Sequence, residues 1–217
     1  MKKMFVLAVL VTLFVSGAVP SAYAAGVIYD NGSPNAGYGT QMNANLVAGN
    51  FSIGGSGANI TNLVFWSDLF EYSPTSVSWA IYSDTPGKPG SVLSNGLASV
   101  AGAVTGGYSS NGYPQYLFNL PVAFTLPANS YWLGLQDGSP NPVNPPEMLW
   151  SSTASGPPEG MYLDGDWWGT GNALAFQIIG TPNVSRVPDP ASSLTLWMGG
   201  FAIALFRRFT NKRASKA

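Results

Sequence analysis

The chain has 217 residues, enough for one domain and its processing segments. Only 9% are charged, against about 25% in an average soluble domain. Gly (26) and Pro (17) take up much of the difference, which suits short strands and many turns and argues against amphipathic helices, since those need a charged face. The chain has no Cys and no His. That excludes disulfides, thiolate nucleophiles and Ser-His-Asp chemistry, and removes the commonest metal ligands.

The net charge of −1 hides an asymmetry. Between Ala25 and Ser185 stand Asp30, Asp68, Glu71, Asp84, Asp137, Glu147, Glu159, Asp164 and Asp166, against the single base Lys88. The other bases lie in the two end segments. Nucleic-acid affinity rests on neutralising phosphates with Lys and Arg, so this acidic body is not expected to bind nucleic acid.

Residues 1–24 read as a secretory signal peptide. Lys2 and Lys3 form the basic start, Met4 to Val15 the apolar stretch, and Ala22-Tyr23-Ala24 the small-residue cleavage site. Signal peptidase is expected to cut before Ala25.

From 25 to 181 no 3.6-residue periodicity is sustained, and period-2 segments recur between turns. Asn59 to Trp66 carries Ile60, Val64 and Trp66. Ser76 to Ser83 alternates Val77, Trp79 and Ile81 against Ser78, Ala80 and Tyr82. Tyr113 to Leu120, Val122 to Leu126 and Ser130 to Gln136 follow in the same style. Ala173 to Ile179 sets Leu174, Phe176 and Ile178 on one side. Turns are expected at Asp30-Asn31-Gly32, Thr85 to Gly90, Asn111-Gly112 and Asp137 to Pro140. The proline-rich stretch Ser139 to Pro158 is expected to be a long loop. Strands at this spacing without helices predict an all-β fold, an antiparallel β-sandwich of jelly-roll type with eight to ten strands.

Candidate sites in the body are few. Sugar-binding sandwiches stack pyranose rings on flat aromatic faces, and Trp167-Trp168 beside Asp164 and Asp166 offers such a platform. On a strand the two rings point to opposite faces, so at most one is directed to the core. Asp164-Gly165-Asp166 supplies oxygen ligands that suit Ca2+, but the EF-hand loop is absent and a plain turn serves the same residues. No other cofactor or metal is implied. Glu147, Glu159, Asp164 and Asp166 supply enough carboxylates for glycoside hydrolysis. With nine acids such pairs arise by number alone, so no catalytic residue is assigned and the chain is not expected to be an enzyme.

Residues 182–190 read as a linker that ends in Val187-Pro188-Asp189-Pro190, where the prolines disfavour both helix and sheet. Ala191 to Phe206 is apolar, and Arg207, Arg208, Lys212 and Arg213 follow. The run is 16 residues by numbering, short of the roughly 20 that usually cross a bilayer. Snorkelling arginines help a short span reach, and the positive-inside rule would hold the C-terminus in the cytoplasm. Residues 191–217 are thus expected to form a transmembrane helix with a basic tail.

This tail resembles the PEP-CTERM sorting signal, in which a Pro-Glu-Pro-like motif precedes an apolar helix and an Arg-rich end. Asp189 stands where the family usually has Glu. The resemblance covers about the last thirty residues. It implies processing by an exosortase at the outer surface or in the extracellular matrix of an exopolysaccharide-producing Gram-negative bacterium. The Leu-Pro-x-Thr-Gly motif of sortase tails is missing, and Gly199-Gly200 lie inside the apolar run rather than ahead of it. The body also resembles an exported domain common among PEP-CTERM proteins, through Ile28 to Gly32, Trp79 to Gly90, Tyr131 to Leu135 and Ala175 to Gly180. Those stretches are strand and turn signatures and name no active-site residue. The role implied is structural or adhesive, with exopolysaccharide as a partner.

Overall fold

The structure is a computed structural model. It describes residues 24–43, 45–70, 74–138, 147–154, 156–157, 159–163, 166–169 and 171–183. The chain divides into two compact units, Met1–Asn183 and Val184–Ala217, and every described residue belongs to the first.

The described residues are all-β. In chain order the strands are β1 (Gly26–Asp30), β2 (Thr40–Gln41), β3 (Leu46–Ile53), β4 (Ala58–Phe70), β5 (Ser76–Thr85), β6 (Lys88–Ser99), β7 (Ala103–Tyr108) and β8 (Pro114–Leu126). Then come β9 (Asn129–Asp137), β10 (Glu147–Trp150), β11 (Ser152–Thr153), β12 (Glu159–Leu163), β13 (Asp166–Gly169), β14 (Ala173–Leu174) and β15 (Phe176–Pro182). All the pairings are antiparallel. One sheet runs β13-β12-β3-β9-β5-β6. The other is built on β4, which pairs with β8 along one side and with β15 and then β10 in tandem along the other. β1, β2 and β7 extend that second sheet, and β11 pairs with β14.

The two sheets share one core. Phe51 of β3 meets Phe176 of β15 edge to face at 6.3 Å, and Trp79 of β5 stacks on Phe124 of β8 at 5.5 Å. Gly49 makes room for this, since a Cβ there would lie 2.7 Å from the Phe176 ring. Trp150 is fully buried and its Nε1–H donates to the Ala175 carbonyl at 3.0 Å. The buried apolar residues of the core run from Met42 to Ile178 and come from strands of both sheets.

Several expected elements appear with small shifts. Leu174, Phe176 and Ile178 are all buried, as the alternation predicts. Gly32 has φ +97° and its N–H donates to Asp30 Oδ1 at 2.8 Å, an Asx-type turn. Gly87 (φ +82°) follows Pro86 in the β5–β6 hairpin, an arrangement that suits a type II turn. β15 runs through Pro182, and the Asn183 N–H donates to the Gly57 carbonyl. Strand structure therefore continues into the first residue of the segment that the sequence reads as a linker.

Three differences have physical causes. A bulge between Ile60 and Asn62 flips the alternation in β4, so Leu63 and Phe65 join Ile60 in the core while Val64 and Trp66 turn to the other face. The two segments around Pro121 fuse into the single strand β8, with Pro121 at that same irregularity, where a proline is tolerated. The expected loop Ser139 to Pro158 holds β10 and β11, because Met148-Leu149-Trp150 is an apolar core strand set among prolines.

Candidate functional site

The sheet that ends in β13 carries a second, smaller apolar cluster on its outer face. Ala48, Ala80 and Gly134 form a low floor there, and Tyr82 and Trp132 lie on it. A Cβ at Gly134 would meet the Tyr82 ring at 2.7 Å, so the floor must stay flat. Trp132 Nε1–H donates to Asp84 Oδ1 at 2.7 Å, which satisfies the one polar group of a side chain only 3% exposed.

The cover is the β12–β13 hairpin. Its backbone continues the sheet from β3, with Glu159 opposite Gly49 and Tyr162 opposite Leu46. In a flat sheet β13 would lie four strand spacings, about 19 Å, from β5. Instead the Trp167 ring meets the Tyr82 ring of β5 edge on, at 5.6 Å, and Lys88 Nζ lies 3.9 Å from Asp166 Oδ1. The hairpin therefore curls over the outer face and lays Trp167 on the cluster. Trp168, pointing the other way, is 60% exposed.

Trp167 is half-buried and already packed, so it presents no open stacking face; Trp168 does. Sequence reasoning allowed one ring of the pair to point inward. Which one it is depends on the curl of the hairpin.

Two carboxylates are deeply buried: Glu159, which the sequence offered only as one acid among several, and Asp68, which it did not single out. Glu159 is 1% exposed and accepts a 2.6 Å hydrogen bond from Thr40 Oγ1, which ties β12 of one sheet to β2 of the other. Burial pushes its carboxyl up to about 7, with the Thr40 bond opposing. Asp68 is 1% exposed on the outer face of β4. Its Oδ1 accepts from Gln115 Nε2 (3.3 Å) and Ser151 Oγ (3.0 Å), and its Oδ2 is buried with no hydrogen-bond partner among the described residues. Burial raises this carboxyl too, against those two bonds. The available signal was period-2 alternation. Trp66, Asp68 and Phe70 share one face, so the acid sits between two large apolar side chains.

Among the described side chains, Glu159 and Asp166 do not form a hydrolytic pair. Glu159 is enclosed between the sheets. Asp166 is exposed and lies opposite Leu163, four residues further along the hairpin, or about 13 Å. Glu147 opposes Phe70 in the strand register, and Asp164 lies outside the described residues. No three Asp or Glu residues gather around a cation site among the described residues. The Asp164-Gly165 part of the expected Ca2+ ligand set lies outside them.

A polar groove of about 420 Å³ opens beside β11 and β14, lined by Asn35, Tyr38, Thr153 and Asn172 among others. A more apolar cleft of about 370 Å³ lies between Leu69, Pro74, Val100 and Tyr116.

Of the processing residues, Ala24 and Ala25 are exposed and stand directly before β1. Ala22, Val187, Pro188, Asp189, Pro190, Arg207 and Arg208 lie outside the described residues, as do the expected signal and transmembrane helices. No family model, no curated protein and no solved structure matches the chain.

Proposed function

We propose that this is an exported envelope protein whose body is a structural or adhesive module rather than an enzyme. In this reading signal peptidase cuts before Ala25, and the helix of residues 191–217 holds the precursor in the inner membrane. An exosortase then processes the tail at Val187-Pro188-Asp189-Pro190. The mature body, a sandwich of jelly-roll type, resides at the cell surface or in the exopolysaccharide matrix.

The observation that carries the reading is the pairing of the first and last strands. Gly26 lies opposite Gly180, so the body's chain enters and leaves at one corner of one sheet. Both segments proposed to be processed thus attach at the same end of the sheet. Ala24 and Ala25, which flank the proposed cleavage, are exposed at that corner.

The test replaces Pro188 and Pro190 by alanine in a host that carries the sorting enzyme. The expected result is an unprocessed species of higher mass that stays in the membrane fraction. Normal maturation of the variant would rule out the sorting step.

A second reading is favoured by the exposure of Trp168, which leaves one large aromatic face available for stacking on a sugar ring. Here the body binds exopolysaccharide directly. A glycan array probed with residues 25–183 should then show binding that Trp168→Ala abolishes. An array with no signal at millimolar ligand would eliminate this reading.

A further inference from the structure

We propose that a second copy of this chain docks on the edge of β6 that no described strand pairs, running antiparallel with Leu97 opposite its own copy and Asn95 opposite Ser99, to join two six-stranded sheets into one. This goes beyond the sorting and adhesion readings and does not depend on either.

β6 is the last strand of its sheet and, among the described residues, pairs only with β5. Edge strands offer unpaired backbone donors and acceptors, and proteins usually guard them with charge, proline or bulges. The first part of β6 is guarded in this way by Lys88, Pro89 and a register shift near Val92. The rest has no such guard. From Ser94 to Ser99 the register against β5 is regular, residue by residue. Asn95, Leu97 and Ser99 face outward and are exposed, while Ser94, Gly96 and Ala98 lean inward and are small. Leu97 is 66% exposed, and Val92 and Leu93 are each more than half exposed beside it.

Charge selects the occupant. No Asp, Glu, Lys or Arg stands anywhere between Lys88 and Asp137, a stretch that covers nearly all of β6 and the whole of β7 and β8. Elsewhere the body carries an excess of acids over its one base, so two bodies repel each other over most approaches. On this flank they do not. A charged partner would find nothing complementary here, whereas an identical strand finds a matching ladder, because antiparallel pairing about a two-fold axis is self-complementary. β7, the neighbouring edge, is a poorer template: its register against β8 is irregular and Gly106 has φ +82°.

The test uses residues 25–183, the segment that holds the described core. An edge contact of this size is small, so dissociation constants in the micromolar to millimolar range are expected (roughly 10 μM to 1 mM). Sedimentation equilibrium of the wild type should show reversible dimers in that range. Leu97→Lys sets like charges close together across the seam and should weaken the dimer by at least about tenfold. Its far-UV circular dichroism and melting temperature should match the wild type, because the side chain is exposed. The chain has no cysteine, so a single Leu97→Cys, which faces its own copy across the two-fold axis, reports directly: under oxidation it should form a covalent dimer faster than a cysteine at exposed Ser52 of β3. A wild type that stays monomeric up to about 1 mM would overturn the proposal. So would a dimer indifferent to Leu97→Lys, or equal cross-linking at the two cysteine positions.

Discussion

The two ends of one six-stranded sheet are finished in opposite ways. At the β13 end the sheet curls back on itself, tucks Trp167 onto Tyr82, brings Asp166 near Lys88, and closes over Trp132. At the β6 end it stops with exposed Leu97 and no charge from Ser94 to Ser99. The comparison teaches that edge protection here is local. The same sheet is sealed by apolar cover on one side and left as a template on the other, so stability should reside at the first edge and association at the second.

The largest effect should come from removing what the curl covers. Trp132→Ala empties a site that is 3% exposed and strands Asp84 without its indole donor. A loss of about 3–5 kcal/mol in urea unfolding is expected. A loss below about 1 kcal/mol would mean that the outer cluster is not a second core, and the contrast between the two edges would collapse.

Next comes the root of the covered hairpin. The Glu159 carboxyl sits near 7 rather than 4.5 because it is buried. A folded-state value above the unfolded one favours the protonated native state. Its stability contribution is full below about 4.5 and is lost as pH rises toward and through 7, by about 3 kcal/mol in all. Asp68, also raised by burial, acts in the same direction. Glu159→Gln keeps an acceptor for Thr40 and cannot ionise, so it should match the wild type near pH 4.5, exceed it at pH 8, and flatten the profile in chemical denaturation. If wild-type stability stays level from pH 4.5 to 8, Glu159 is not held in an apolar site. The bond between β12 and β2 would then not anchor the hairpin as described.

These features were unequally legible in the sequence. β5 was legible because Val77 and Ile81 alternate with Ser78, and β15 because Phe176 and Ile178 alternate with Gln177. What alternation could not convey was that the outward residues Ala80 and Tyr82 would be buried too, since their cover comes from a hairpin more than seventy residues later in the chain. β3 and β6 went unread because Ala48, Gly49, Asn95 and Gly96 carry little strand propensity and are placed by their neighbours. In β4 the bulge after Ile60 reversed the faces, so Trp66 and Val64 exchanged places with Phe65 and Leu63. Asp68 shows the same limit. Its position between Trp66 and Phe70 was visible, but the Gln115 and Ser151 donors that accommodate it come from distant strands.

Smaller effects separate the rings of the tryptophan pair. Trp168 is exposed, so Trp168→Ala should change stability by no more than about 0.5 kcal/mol. Trp167→Ala removes the ring that meets Tyr82 and should cost more. Equal costs would mean that the hairpin does not curl as described, and would restore both rings as open surface.

The smallest effect is expected at Lys88, and it bears on what drives the curl. Lys88 and Asp166 approach to 3.9 Å with both side chains more than half exposed. Such a pair is worth at most about 0.5 kcal/mol and is screened by salt. Lys88→Ala should therefore alter unfolding by less than that, and the difference should vanish in about 0.5 M salt. The body's only base does face Asp166 of the covered edge, but apolar contact among Trp167, Tyr82 and Trp132 is expected to be the larger force. A salt-sensitive loss above about 1 kcal/mol would reverse that ranking: the hairpin would then be held by one cation, and the covered edge would owe its seal to charge, the property that Ser94–Ser99 of β6 lacks.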